Sequence, residues 1–259
     1  MSSVEIHPTS IIEKGAELDV NVKIGPFCRI GAQVKLAKGN HLHSHVVIEG
    51  NTTLGADNQI FPFVCLGAAP QDLGYKGEAT QLIIGSANTF RESFTAHRAS
   101  AKADGKTEIG NKNFFMAYCH VAHDCKIGNQ TIMANYTALA GHVIVEDFVN
   151  ISGHSGVQQK ARIGSYGFLA GATELRRDLA PFMAARGDSE VVGPNLVGLK
   201  RAGFNEVELR CIREIYKIFY KSPLTAEKSL EKIRELYSQE KVAQIFLNFV
   251  GKTVIGVQR

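Results

Sequence analysis

The stretch IGNQTIMANYTALAGHVIVEDFVNISGHSGVQQKARIG, residues 127–164, carries Ile127, Met133, Leu139, Val145, Ile151, Val157 and Ile163 at intervals of six. A helix repeats its apolar face every ~3.6 residues and a strand every ~2, so neither produces this interval. The period belongs to a hexapeptide β-helix, in which each repeat supplies one short strand and one turn. Three repeats close a triangular coil of about 18 residues, with the recurring apolar residue pointing inward onto its counterpart in the next coil.

The same register extends to Leu169 and Leu175 on one side and to Val121, Phe115 and Ile109 on the other. A second register runs Ile6, Ile12, Leu18, Ile24, Ile30, Leu36, Leu42, Ile48, Leu54, Ile60 and Leu66, and returns at Ile84 and Phe90. At 44% hydrophobic content, a run of that length arises by chance roughly once in ten thousand trials. Most of these residues are followed by a small or acidic one, among them Gly25, Gly55, Gly85, Gly110 and Gly128. That reads as a demand for small side chains or backbone freedom at each corner. About eight coils at ~4.8 Å each give a prism ~40 Å tall.

Two polar, glycine-bearing segments interrupt the array, residues 67–83 (GAAPQDLGYKGEATQLI) and 97–108 (HRASAKADGKTE). Insertions in a solenoid emerge as loops on one face, often the binding face. After Leu175 the period dissolves into an expected linker with Pro181, Gly187, Gly193 and Pro194. Helices follow. Asn205 with Glu208 makes a capping box ahead of the stripe Leu209, Ile212, Tyr216 and Phe219, which Ser222-Pro223 ends. A second helix starts near Thr225 with Ala226, Leu230, Ile233 and Tyr237 on one face, and a third holds Val242, Ile245, Phe246 and Phe249. The expected organisation is mainly β: a parallel β-helix over 1–186, then a small C-terminal α-helical domain over 187–259.

The 259 residues contain no run of 18 apolar residues, so no membrane span is expected. The opening MSSVEIHPTS lacks the basic-then-apolar layout of a signal peptide. Cys28, Cys65, Cys119, Cys125 and Cys211 are odd in number and show no CxxC spacing, as for free thiols in a reducing compartment. The expected location is the cytoplasm.

The net charge of +4 is concentrated in the tail, where residues 199–259 hold 12 Lys/Arg against 7 Asp/Glu. Arg210, Arg213, Lys217 and Lys221 are spaced as one stripe of a helix. The stripe reads either as a solvated face balanced by Glu206 and Glu214 or as a docking surface for an acidic protein. No aromatic platform accompanies it, which disfavours nucleic acid.

The densest polar cluster is CHVAHDC, 119–125. Across a hexapeptide corner His120 and His123 can both rim a groove, and Asp124 follows His123 as a carboxylate able to orient a general base. About one coil later comes His142, preceded by Gly141, whose unhindered N–H suits a developing oxyanion.

With QDLGYKGE (71–78), RESFTAHR (91–98), HVAHDC (120–125), LAGHV (139–143) and PNLVGLKRAGF (194–204), the chain resembles, over essentially its full length, the acyl-carrier-protein-dependent UDP-N-acetylglucosamine O-acyltransferases that begin lipid A synthesis. The resemblance implies a left-handed β-helix, a homotrimer, and active sites shared between neighbouring prisms. It implies transfer of a 3-hydroxyacyl group from acyl carrier protein to the glucosamine 3-hydroxyl of UDP-N-acetylglucosamine, with no metal and no cofactor. His123 matches the general base, Asp124 its orienting partner and the Gly141 N–H the oxyanion donor. His120, His142, Gln71 and Asp72 match sugar and pyrophosphate contacts, and Asn195 and Arg201 nucleotide contacts. Gly171 matches the position that stops the acyl chain, and its lack of a side chain implies a long donor near 3-hydroxytetradecanoyl. The basic stripe suits the acidic carrier protein.

Four departures bear on substrate binding. Gln158-Gln159-Lys160 stands for a His-Gln-Phe run, with Gln159 among the expected substrate contacts. Gly74 replaces the loop lysine, with Lys76 two residues on as the expected loop cation. Val197 replaces an acid, and Ala202 a second basic residue after Arg201. Two alternatives stand beside this reading. One is an amide-forming relative that uses a 3-amino nucleotide sugar. The other is a γ-carbonic-anhydrase-like metal enzyme, whose HxxxxH spacing no pair of the nine histidines matches.

Overall fold

Most hexads fold as a two-residue strand and a four-residue corner, and the second strand residue points inward, as Val121, Ile127, Met133 and Leu139 do. The structure, a computed structural model, describes residues 3–258. Arg259, counted in the tail's charge, and Met1 and Ser2 of the opening segment lie outside the described residues. Strands one coil apart pair in parallel, Val121 with Leu139, Ile127 with Val145 and Met133 with Ile151. Three sheets of 11, 9 and 8 strands result, closing a left-handed prism around a single apolar column. The first sheet contains Ile132–Met133, the second His120–Val121 and the third Lys126–Ile127.

Corner chemistry differs from the expectation. Gly85 keeps φ outside the left-handed region, and a Cβ on it would lie 2.6 Å from the Gly110 carbonyl oxygen of the next coil. The glycines after the inward aliphatics therefore serve close stacking of coils. The left-handed conformation falls two residues later, on Asp57 (φ 60°), Ala87 (58°) and Lys112 (57°). Both insertions leave from the corner between the second and third sheets. The coil between them still closes, because Ala96 takes the inward place between Leu66 and Val121.

The expected linker is instead part of the prism. Leu179 bridges Ile163, and Met183–Arg186 pairs in parallel with Phe168–Leu169. Glu190–Pro194 then returns antiparallel, so residue 187 falls at the turn of a hairpin that closes the top of the first sheet. A short helix, Leu196–Arg201, precedes the expected one, Glu206–Tyr216, whose Asn205–Glu208 capping box is formed. The chain continues through a π-turn, Lys217–Lys221, to helices Ala226–Tyr237 and Lys241–Val250. Phe219 meets Phe246 edge to face at 5.2 Å, and Arg162 fastens this layer to the prism through the Phe249 carbonyl (3.2 Å) and ring (4.0 Å).

Candidate active site

His123 and Asp124 occupy the corner between the second and third sheets, one coil above the 97–108 insertion and two above the 67–83 insertion. Asp124 takes the left-handed position (φ 61°), as do His142 and Lys160 stacked on it in the next two coils; a short polar side chain tolerates that region better than a branched one. This turn folds the Asp124 carboxylate back, and its Oδ2 lies 2.7 Å from His123 Nδ1. The carboxylate can only accept, so Nδ1 carries a proton, and it is Nε2 that is placed to take up or release one. Oδ2 also accepts from the Ser100 hydroxyl (2.7 Å) and amide (3.1 Å), and the Asp124 N–H donates to Thr107 Oγ1 (2.8 Å). His142 Nε2 lies 3.7 Å from Oδ2, with its ring edge-to-face against His123.

Gly141 faces this imidazole from the next coil. A Cβ there would sit 2.6 Å from His123 Cε1 and 2.8 Å from Nε2, so the position demands glycine by close approach. Its N–H has no partner among the described residues.

A groove of about 520 Å³ runs from this corner across the second sheet, lined by Gln71, His120, His123, Gly141, Gln159 and Glu174, among others. Its floor is made by the outward strand positions. His120 is followed up the sheet by Ala138 and Gly156 before Glu174, so the groove exists because those two side chains are small. Gly171 lies three residues before Glu174, exposed, where a Cβ would meet only the Gly153 carbonyl at 3.7 Å.

Burial sets the protonation of the surrounding histidines. His120, hydrogen-bonded to Thr95 Oγ1 at 2.7 Å, is pushed down to about 4 by desolvation, helped by His97 and His123. His97 and His142 are also lowered, chiefly by desolvation. These rings are neutral near pH 7 and act as hydrogen-bonding groups rather than cations for a phosphate. His123, Asp124 and His142 present ligand atoms within 4.8 Å of one another and are the group able to hold a metal ion among the described residues. The His–Asp hydrogen bond uses two of those same atoms.

The expected site residues do not all converge. Asn195 and Arg201 line a separate groove of about 800 Å³ on the first sheet, with Val197 and Ala202 and the wall Phe148, Tyr166 and Phe168. There Asn195 caps Leu196–Arg201 by accepting from the Gly198 N–H and donates to the Tyr166 carbonyl. Lys76 is exposed and does not line the His123 groove; its N–H donates to Glu78. Asp72 sits behind Gln71, its carboxylate held below the usual range by the Lys102 ammonium and the Gly74 N–H. In the tail stripe Arg210, Lys217 and Lys221 are exposed, Lys217 pairs with Glu214 at 2.8 Å, and Arg213 lies 3.9 Å from Glu206. Thr95, His97, Ser100, Lys102 and Thr107 are participants that the sequence reading missed. Residues 97–108 have no period to align them, and Thr95, though in register, is an outward strand position that becomes a neighbour of His120 only through stacking.

A family model for UDP-N-acetylglucosamine O-acyltransferase (domain 2) matches residues 178–257, and one for bacterial transferase hexapeptides (six repeats) matches 106–141. The acyl-[acyl-carrier-protein]–UDP-N-acetylglucosamine O-acyltransferase of Thermodesulfovibrio yellowstonii is 45% identical over 98% of this chain and 99% of its own. That of Verminephrobacter eiseniae is 47% identical over 89% and 88%. The crystal structure of the Francisella novicida UDP-N-acetylglucosamine acyltransferase superposes with a TM-score of 0.96 at 36% identity, covering 98% of this chain and 94% of that one. The Moraxella catarrhalis enzyme gives 0.95 at 35%, covering 98% and 99%. Matched along nearly the whole chain at this identity, the protein belongs to the acyl-[acyl-carrier-protein]–UDP-N-acetylglucosamine O-acyltransferase family.

Proposed function

We propose that the protein moves a 3-hydroxyacyl group from acyl carrier protein to the glucosamine 3-hydroxyl of UDP-N-acetylglucosamine, the first step of lipid A biosynthesis. The observation that carries this is the His123–Asp124 pair at 2.7 Å with the free Gly141 N–H beside the same imidazole. His123 Nε2 takes the hydroxyl proton as the sugar oxygen bonds to the thioester carbonyl carbon. The Gly141 N–H receives the resulting oxyanion. Collapse breaks the carbon–sulfur bond, and the proton on His123 passes to the departing thiolate. Asp124 keeps Nδ1–H fixed throughout and stabilises the imidazolium. Neutral His120 and His142, with Gln71, Asp72 and Gln159, hold the sugar. The acyl chain runs along the Ala138–Gly156 floor toward Gly171.

The working unit we infer is a homotrimer. Asn195 and Arg201 face a groove on the first sheet, whereas His123 faces one on the second. A closed threefold ring sets one protomer's second-sheet groove against a neighbour's first-sheet groove. The edge between those two sheets exposes an aromatic stripe, Phe27 and Phe63 and then Tyr118 and Tyr136, of the kind that marks an interface. The tail stripe receives acyl carrier protein. No helix among the described residues is long and apolar enough to cross a membrane, and all five cysteines are free; we place the enzyme in the cytoplasm. The deciding experiment gives the purified protein 3-hydroxyacyl carrier protein with UDP-N-acetylglucosamine and its 3-amino analogue in competition. Ester formation is expected, and a strong preference for amide formation would overturn the acceptor assignment.

A further inference from the structure

The two insertions are tied to each other and to the His–Asp pair by one continuous set of hydrogen bonds. Lys102 Nζ, from the second insertion, reaches both carboxylate oxygens of Asp72 in the first, at 3.0 and 2.7 Å. The Lys102 N–H donates to Ser100 Oγ at 3.3 Å, and the Ser100 hydroxyl donates to Asp124 Oδ2 at 2.7 Å. Ser100 is buried, so this end of the bracket is fixed. A second tie runs beside it, with Arg98 donating to the Gly67 carbonyl at 2.7 Å and to the Tyr75 hydroxyl at 3.2 Å.

The Lys102 ammonium also fills the space beside Gly74. A Cβ on Gly74 would lie 2.9 Å from Lys102 Nζ and 3.2 Å from Asp72 Oδ1. The loop position at which the resemblance implied a lysine is therefore one where another lysine arrives from a different segment. Gly74 has no left-handed φ, so a side chain there would meet the movable end of Lys102 and the Asp72 carboxylate and not the backbone.

We propose that Lys102 is a positioning residue of the acyl-transfer site, supplied by the second insertion in place of a cation at position 74. It holds Asp72 and Gln71 at the acceptor groove and cancels the Asp72 charge, which would otherwise repel a nucleotide diphosphate. The proposal rests on the acceptor reading above. Lys102 acts through Asp72, and its side chain is not part of the proton-transfer machinery.

The test compares Lys102→Met, Lys102→Arg and the double variant Lys102→Met/Gly74→Lys in steady-state turnover, with calorimetric binding of UDP-N-acetylglucosamine and thermal melts alongside. Lys102→Met should raise both KM and Kd for the nucleotide sugar about tenfold or more, leaving the melt and the KM for acyl carrier protein within about twofold. Lys102→Arg should stay within about threefold of wild type, and adding Gly74→Lys should recover most of the loss. A Lys102→Met variant with unchanged sugar Kd overturns the proposal, as does a parallel rise in the donor KM or a double variant no better than the single one. Wild-type protein that fails to bind UDP-N-acetylglucosamine at all sinks the acceptor reading, and the proposal with it. That result is distinct from wild-type binding that Lys102→Met leaves untouched.

Discussion

Along the edge between the third and first sheets, Asn40, Asn58, Asn88 and Asn113 stack coil on coil. Asn40 Oδ1 accepts from the amide and side chain of Asn58, Asn58 Oδ1 from those of Asn88, and Asn88 Oδ1 from the Asn113 amide. Their side-chain amides donate to corner carbonyls such as Gly85 and Gly110. The edge between the second and third sheets is built from the same hexads and is left open. Asp124 Oδ1, His97 Nδ1 and Thr80 Oγ1 are buried there without a hydrogen-bond partner, and the Gly141 N–H is free. Buried polar groups are normally paired, and an unpaired one costs stability. The asparagine ladder pairs its polar groups coil to coil; the other corner leaves several of its own unpaired beside the His123 groove.

The strongest attack on this contrast is His123→Ala. It should lower kcat by roughly 10²–10⁴-fold while the melting temperature stays near wild type. A loss of less than about tenfold in kcat at neutral pH would move the base to His142 or His120. Gly171→Met probes the third edge, where a side chain fits without strain. If it excludes about four methylenes at ~0.8 kcal/mol each, the ratio of kcat/KM for C14 over C10 donors should fall by about 100-fold or more. An unchanged ratio would make Gly171 a turn and not a ruler.

Gly141→Ala keeps the backbone donor but drives a methyl into the His123 ring. A displacement near 1 Å should cost kcat about 100-fold with little change in either KM; near-normal turnover would show that the ring has room to move. Asn88→Ala tests the closed edge. It strands the Asn113 N–H and the Gly110 carbonyl, so stability should drop by roughly 1–3 kcal/mol in denaturant titration with kcat/KM preserved. Loss of activity without loss of stability would undo the distinction between the two edges. The smallest effect is expected away from both. Reversing Arg213 and Lys217 to Glu should raise the KM for acyl carrier protein several-fold and leave that for the nucleotide sugar unchanged, with the wild-type donor interaction weakening as salt shortens the ~10 Å Debye length. A donor KM indifferent to both changes returns the stripe to a solvated helix face.

Much of this was legible in the chain. The inward column could be read because one inward position per hexad is the strictest demand a stacked coil makes, and a period needs no knowledge of contacts. The Asn205–Glu208 cap and the His123–Asp124 pair were legible because their partners are neighbours in sequence. Ala96 was not, because it keeps the six-residue step after Phe90 but its small side chain does not stand out as an inward aliphatic, and the period breaks directly after it. Residues 176–194 read as a linker because Leu179 arrives off the six-residue count, although it lands on Ile163 and stays buried.

Periodicity and adjacency thus settled the prism, the helical tail and the adjacency of His123 and Asp124, all properties governed by local spacing. Tertiary structure decided what depends on which coils lie side by side. It set Gly141 against the His123 ring, brought Ser100 and Lys102 between Asp124 and Asp72, and put Asn195 and His123 on different faces. Stacking converts a separation of 18 residues, or of 30 and 25 across the first and second insertions, into the same ~4.8 Å step. No pattern along the chain can show which side chains that step makes neighbours once the loops have broken the count.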